Sequence, residues 1–144
     1  MGVTDQLAQL KADKAASNLK IGQDFLATNK NKAGVIELPS GLQYEILTEG
    51  TGPKPTEQQE VTCHYHGTMI DGSVFDSSVQ RGQPTSFPLN RVISGWTEGL
   101  QLMPTGSKWR FFIPAHLGYG DRQISAQIGA NSTLIFEVEL ISFK

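Results

Sequence analysis

Residues 133 to 143, T-L-I-F-E-V-E-L-I-S-F, alternate cleanly: Leu134, Phe136, Val138 and Leu140 fall on one side of an extended chain, and Ile135, Glu137, Glu139 and Ile141 on the other. A run with that period has one face to bury and one to leave in water, the pattern of an antiparallel sheet covered on a single side. Shorter β-like runs cut by Gly, Pro and Asp precede it: L-Q-Y-E-I-L at 42 to 47, V-T-C-H-Y-H-G-T-M at 61 to 69, S-V-F-D at 73 to 76 and K-W-R-F-F-I at 108 to 113. Between them, V-I-S-G-W-T-E-G-L-Q-L-M at 92 to 103 sets Val92, Trp96, Leu100 and Met103 on one helical stripe, stopped by Pro104 and Gly106. The spacing predicts an α+β unit over residues 35 to 144, a curved antiparallel β-sheet wrapped around a short helix.

Residues 1 to 34 have a different texture. From about Thr4 to Lys32 there is no Pro, and Leu7, Leu10, Ile21 and Phe25 recur with polar gaps between them. Asp5 suits a first helical turn, Lys30 and Lys32 a last one, and Gly34 an end. A long N-terminal helix of roughly 28 residues would run about 42 Å. The polar stripe at Lys14, Ser17 and Asn18, and Gly22 at a cost of about 1 kcal/mol, predict a helix that projects or packs only partly. It reads as a helical arm, either a strut for oligomerisation or the remnant of a longer chain.

Composition removes several functions. Twelve basic and fourteen acidic residues leave a net charge of -2 with no basic run, so nucleic acid is not an expected partner. No apolar stretch approaches the roughly 18 residues of a membrane span, and M-G-V-T-D-Q-L-A-Q-L-K lacks the order of a signal peptide, so no membrane partner is expected. The expected location is the cytoplasm, or the periplasm or exterior if a leader has been removed. A single cysteine, Cys63, rules out an internal disulfide.

The motifs of nucleophilic, phosphoryl and hydride chemistry are absent: there is no G-x-S-x-G, no Walker loop and no G-x-G-x-x-G. Strand alternation places His64 and His66 opposite Cys63 and Tyr65, so two imidazoles share a face but lack a third ligand. The histidines are expected to face solvent, Cys63 to be buried, and no metal or cofactor to be needed. What remains is aromatic: Tyr65, Phe75, Trp96, Tyr119 and Phe136 come from separate elements. Such rings ordinarily make a core. Three details point instead to a ligand cup. Asp76 directly follows Phe75, with Arg81 near enough to pair with it. L-G-Y-G at 117 to 120 sets Tyr119 between glycines. V-I-S-G-W opens a helix whose first N–H groups are free to donate.

The ordered series Y-H-G-T-M-I-D-G-S-V-F-D-S-S, R-G-Q-P, F-P-L-N-R-V-I-S-G-W-T-E-G-L-Q-L-M-P-T-G-S-K-W, H-L-G-Y-G and A-N-S-T-L-I-F-E-V-E-L, over about residues 40 to 144, resembles the FKBP-type peptidyl-prolyl cis-trans isomerases, above all their macrophage-infectivity-potentiator-like subgroup. The resemblance implies a rotamase acting on proline-containing polypeptides, with tacrolimus and rapamycin as inhibitors and a homodimer where a fuller N-terminal region is present. It implies a pocket walled by Tyr65, Phe75, Val92, Ile93, Tyr119 and Phe136, with Trp96 as its floor and Asp76 at its edge, linked to Arg81 and the Tyr65 hydroxyl. The Ile93 backbone N–H and the Tyr119 hydroxyl would hydrogen-bond the bound segment, and Ile124 and Ile128 would form the flap. Thr85 stands where several relatives carry an aromatic wall residue, and Gln127 lies in a flap loop that differs among them. A holding chaperone or peptide-binding module without catalysis is the alternative function.

Overall fold

The computed structural model describes residues 3 to 144. One antiparallel sheet of seven strands carries the fold, with β1 at Val35–Glu37, β2 at Gln43–Thr48, β3 at Glu60–Thr68, β4 at Val74–Ser77, β5 at Thr85–Pro88, β6 at Lys108–Ile113 and β7 at Leu134–Phe143. Its order is β1-β2-β6-β7-β3-β4, and β5 pairs with β3 beside β4. The alternation at 133 to 143 is obeyed in full: Leu134, Phe136, Val138 and Leu140 are buried, and their neighbours turn outward.

The covering helix α3, Ser94–Leu100, lies on the buried face and packs Trp96 and Leu100 against Phe111, Ile113, Phe136 and Val138. Two missing side chains let it come so close. A Cβ on Gly95 would stand 2.8 Å from Ile113 Cγ2, and one on Gly99 would strike the Phe111 ring. Each large side chain buried here contributes about 1.5 to 3 kcal/mol by leaving water. The helix is shorter than the stripe from 92 to 103 predicts. Val92 is extended, with φ -100° and ψ 175°, and Ile93 caps the first turn, so both face the cup instead of riding the helix.

Helix α1 runs Val3–Asn29, three residues short of Lys32, and Gly34 turns the chain with φ +87°. Leu7 and Leu10 are 54% and 64% exposed, whereas the later turns dock on the sheet face opposite α3. Phe25 meets Phe112 with ring centroids 6.1 Å apart. The Asn29 amide donates to Gln43 Oε1 at 2.8 Å, and Gln43 donates on to the Leu26 carbonyl at 3.0 Å. Asn18 donates to the Ala130 carbonyl, and Asn131 returns a bond to that of Ala15. Partial packing thus runs through the polar stripe, because the side chains of Asn18 and Asn131 satisfy backbone carbonyls across the seam. Gly22 is buried, and a Cβ there would collide with Thr133 Oγ1, so its helical cost is offset by a close approach.

Strands β1 and β5 have no counterpart in the sequence expectation. The run T-S-F-P follows Pro84 and ends in Pro88, both of which read as turn residues, yet Pro is tolerated on an edge strand. Cys63 is buried as expected, and burial pushes its thiol up to about 12. His64 and His66 are half-buried instead of facing solvent. Their Nδ1 atoms lie 3.0 Å from Ser78 Oγ and 2.8 Å from Ser77 Oγ. Among the described residues no group of three or more His, Cys, Asp or Glu side chains is placed to hold a metal ion.

Candidate active site

Where α3 enters, the covered face of the sheet is left partly open as a cup of about 490 Å³. Trp96 closes its base, only 4% exposed. Three rings stand edge-on to the indole: Tyr65 with centroids 5.5 Å apart, Phe87 at 5.5 Å and Phe136 at 5.3 Å. Phe75 meets Phe136 edge-on at 5.3 Å. Edge-to-face contacts of this kind are a preferred packing of aromatic rings and contribute about 0.5 to 1.5 kcal/mol beyond burial. Gly67 on β3 makes room for the pair, since a Cβ there would lie 2.6 Å from Phe75 Cζ and 2.8 Å from Phe136 Cε1. The indole N–H of Trp96 has no hydrogen-bond partner among the described residues.

The polar edge is built by F-D-S-S. Strand β4 ends at Ser77, which caps the short helix α2, Ser78–Arg81, by accepting from the Gln80 N–H at 3.2 Å. Ser78 Oγ accepts from the Tyr65 N–H at 2.7 Å, on the side of β3 between the stretches paired with β4 and β5. These two serines pin α2 to β3, and α2 returns Arg81 onto Asp76. The spacing of five is therefore one helical turn and not a loop. Arg81 Nη1 donates to Asp76 Oδ1, Arg81 Nη2 donates to the Tyr65 hydroxyl at 2.8 Å, and that hydroxyl donates to Asp76 Oδ2 at 2.7 Å. The guanidinium also lies 5.5 Å from the centre of the Tyr65 ring.

These contacts set the charges. Burial works to raise the Asp76 carboxyl, but the bonds from Tyr65 and Arg81 and the arginine's charge outweigh it and hold the pKa below the ordinary carboxylate value. Burial pushes the Tyr65 phenol up; Arg81 opposes the rise and Asp76 adds to it. At neutral pH the edge therefore holds a carboxylate, a neutral phenol and a guanidinium.

The structure brings Tyr65, Phe75, Asp76, Val92, Ile93, Trp96, Tyr119, Ile124, Ile128 and Phe136 to one cup. Arg81 stands behind Asp76, outside the lining, and acts on the cup through that carboxylate. Gln127 turns away, its amide donating to the Val74 carbonyl at 3.1 Å. Sequence reasoning missed Phe87, Arg91 and Ser125, which also line the cup. The aromatic wall looked for at Thr85 is present two residues on: Cys63 pairs with Thr85 and Val61 with Phe87, so both point to the same side, and Phe87 reaches Tyr65 and Trp96. Alternation in T-S-F-P was the available signal, hidden by Pro84 before it and Pro88 at its end.

A half-open cup of rings, with one compensated charge at its rim, on a sheet folded round a short helix, has the apolar lining and few polar groups of a small-ligand site. Residues 52 to 141 match the family model for FKBP-type peptidyl-prolyl cis-trans isomerase, and residues 1 to 46 match the domain amino-terminal to that isomerase. The chain belongs to the FKBP-type peptidyl-prolyl cis-trans isomerase family. It is 51% identical over 143 residues to the outer membrane protein MIP of Legionella longbeachae, covering 97% of this chain and 61% of the relative. It is also 51% identical over 141 residues to the FKBP-type isomerase FkpA of Aeromonas hydrophila, covering 97% of this chain and 52% of the relative. This chain thus spans about half to three-fifths of these two relatives. The crystal structure of FkpA from Escherichia coli superposes with a TM-score of 0.93 at 38% identity, over 99% of this chain and 66% of that one. A peptidyl-prolyl cis-trans isomerase from Pseudomonas syringae pv. tomato does so at 0.84 and 44% identity, over 90% and 96% of the two chains.

Proposed function

We propose that this chain accelerates cis–trans rotation about X-Pro bonds in folding polypeptides, with the cup as its active site. The observation that carries the reading is the ring-walled cup itself, about 490 Å³ of open space lined by Trp96, Tyr65, Phe75, Phe87 and Phe136. Membership of the isomerase family supports it.

Rotation about an X-Pro bond forms and breaks no covalent bond and moves no proton. The obstacle is amide resonance, which makes the uncatalysed exchange take tens to hundreds of seconds. A planar amide carries more charge separation than the twisted one, so water favours the planar forms and an apolar cup favours the twist. Trp96, Phe87, Phe75 and Phe136 supply that environment. The Ile93 N–H, unpaired among the described residues, is the donor for the prolyl carbonyl, and the Tyr119 hydroxyl, likewise unpaired, is a donor for the flanking segment. Asp76 meets the displaced carbonyl of the preceding residue and stabilises the positive end of its dipole. Groups that bind the twisted form more tightly than either planar isomer raise the rate, and together about 5 to 8 kcal/mol is asked of them at 1.36 kcal/mol per tenfold.

The same cup is proposed to take tacrolimus and rapamycin, as the family resemblance implies. A homodimer is proposed for forms that carry a fuller N-terminal region. Exchange spectroscopy on a short proline peptide tests the function: micromolar protein should speed exchange, and rapamycin should abolish the gain. Exchange left unchanged by the protein would overturn the reading.

A further inference from the structure

We propose that Arg91 is a specificity-determining residue that selects an acidic side chain immediately after the substrate proline, a reading that rests on the isomerase function proposed above. Arg91 closes a 3-10 turn, Leu89–Arg91, whose position is fixed from both sides. Leu89 is fully buried, its N–H donates to the Gln59 carbonyl at 3.0 Å, and its own carbonyl accepts from Thr97 Oγ1 at 2.7 Å. The turn is therefore rigid, and the arginine at its end lines the mouth of the cup next to Val92 and Ile93.

The other arginines are already engaged. Arg81 holds Asp76 and Tyr65, Arg110 holds Glu45 and Glu137, and Arg122 bonds the Tyr119 carbonyl. Arg91 has neither an ion pair nor a hydrogen bond from its side chain among the described residues. With Asp76 compensated by Arg81, Arg91 is the one uncompensated charge among the residues lining the cup. Glu57 and Glu98 line the neighbouring groove, which also includes Val92 but not Arg91, and Glu98 already accepts from Ser40 Oγ at 2.6 Å. The positive field is thus local to the mouth.

Chain direction decides which substrate residue meets it. When the prolyl carbonyl accepts from the Ile93 N–H, the peptide unit containing that carbonyl also contains the nitrogen of the next residue. That residue then leaves the cup past Val92 and Arg91, two positions back from Ile93 and within reach of a guanidinium. The residue before proline lies instead toward Asp76. Arg91 can therefore discriminate after the proline and not before it.

The test uses exchange spectroscopy on Ac-Ala-Leu-Pro-Xaa-Ala-NH2 with Xaa as Glu, Ala or Lys, at low ionic strength. The efficiency of exchange should be about threefold higher for Glu than for Ala, the range of an exposed ion pair, and about tenfold higher for Glu than for Lys, where attraction in one peptide adds to repulsion in the other. The Glu-to-Lys ratio should shrink toward one in 0.5 M salt and in Arg91→Gln, and should invert in Arg91→Glu. Moving the Glu two residues before the proline should leave a ratio that Arg91→Gln does not change. Equal exchange of the Glu and Lys peptides by the unaltered protein, or a ratio that survives both salt and Arg91→Gln, overturns the assignment. Failure to speed exchange in any of the peptides overturns the isomerase reading itself, a different outcome from lost selectivity.

Discussion

The Tyr65 hydroxyl donates to the Asp76 carboxylate at 2.7 Å, so the one acid lining the cup is oriented by one of its walls. Asp76 follows Phe75 in sequence because the strand must place a ring inside and a charge at the rim in consecutive positions. Arg81, one helical turn away, keeps that charge ionised.

That arrangement fixes a pH profile. Because the folded pKa of Asp76 lies below the ordinary carboxylate value of about 3.9, the group is charged throughout the neutral range, and exchange activity should be flat from about pH 8 to about pH 5. The stability it contributes is present above the unfolded pKa and is lost as pH falls through the lower folded one. A pH series of exchange rates, with Asp76→Asn as control, should show the acid limb in the unaltered protein only.

Asp76→Val should cut the exchange rate about tenfold or more, the worth of a hydrogen bond to a charged group, while weakening peptide binding less. Titration of binding beside saturation kinetics separates the two. Equal losses in rate and binding would contradict the role given to Asp76.

Trp96→Leu should weaken binding and rate together, since it lowers the floor under the proline ring, and should destabilise the fold by about 2 to 3 kcal/mol through the cavity it leaves. Trp96→Phe should cost less, because the indole N–H forfeits no partner among the described residues. Urea unfolding curves and peptide titrations of the two variants provide the comparison.

Gly22→Ala would gain about 1 kcal/mol in an isolated helix, yet here the new methyl meets Thr133 Oγ1 and sits 3.1 Å from Thr133 Cβ. The clash should win by about 1 to 2 kcal/mol, and adding Thr133→Ala should recover part of the loss. Hydrogen exchange over residues 15 to 29 reports whether α1 has lifted off.

Cys63, buried with its thiol pushed up to about 12, should resist alkylation at pH 8 in the folded protein and react only at the rate of opening. Labelling followed by mass measurement, with and without urea, shows the difference.

The frame was legible wherever one face of an element faces oil and the other water. The 133 to 143 alternation gave β7 its orientation, and the Trp96 stripe gave α3 its covering role. What the chain did not advertise is what depends on partners distant in sequence. Gly22 looks like a flaw until Thr133 is set against it, and Asn18 reads as solvated surface until the Ala130 carbonyl arrives. His64 and His66 look outward on a strand template, but the α2 turn brings Ser78 and Ser77 to their rings. Phe87 was obscured because Pro84 and Pro88 mark turns locally, while the edge of a sheet accepts them. The cup's other rings were readable from the family motifs, and Arg91 was not, since its significance comes from having no partner.

The outermost strands of the sheet are brief: β1 has three residues, and the opposite border is divided between β4 and β5 with four each. For a protein proposed to act on unstructured polypeptides this would be protective. Among the described residues the rim offers no backbone ladder long enough for a visiting segment to zip onto as an eighth strand, which would keep a bound polypeptide from being seeded into an aggregate.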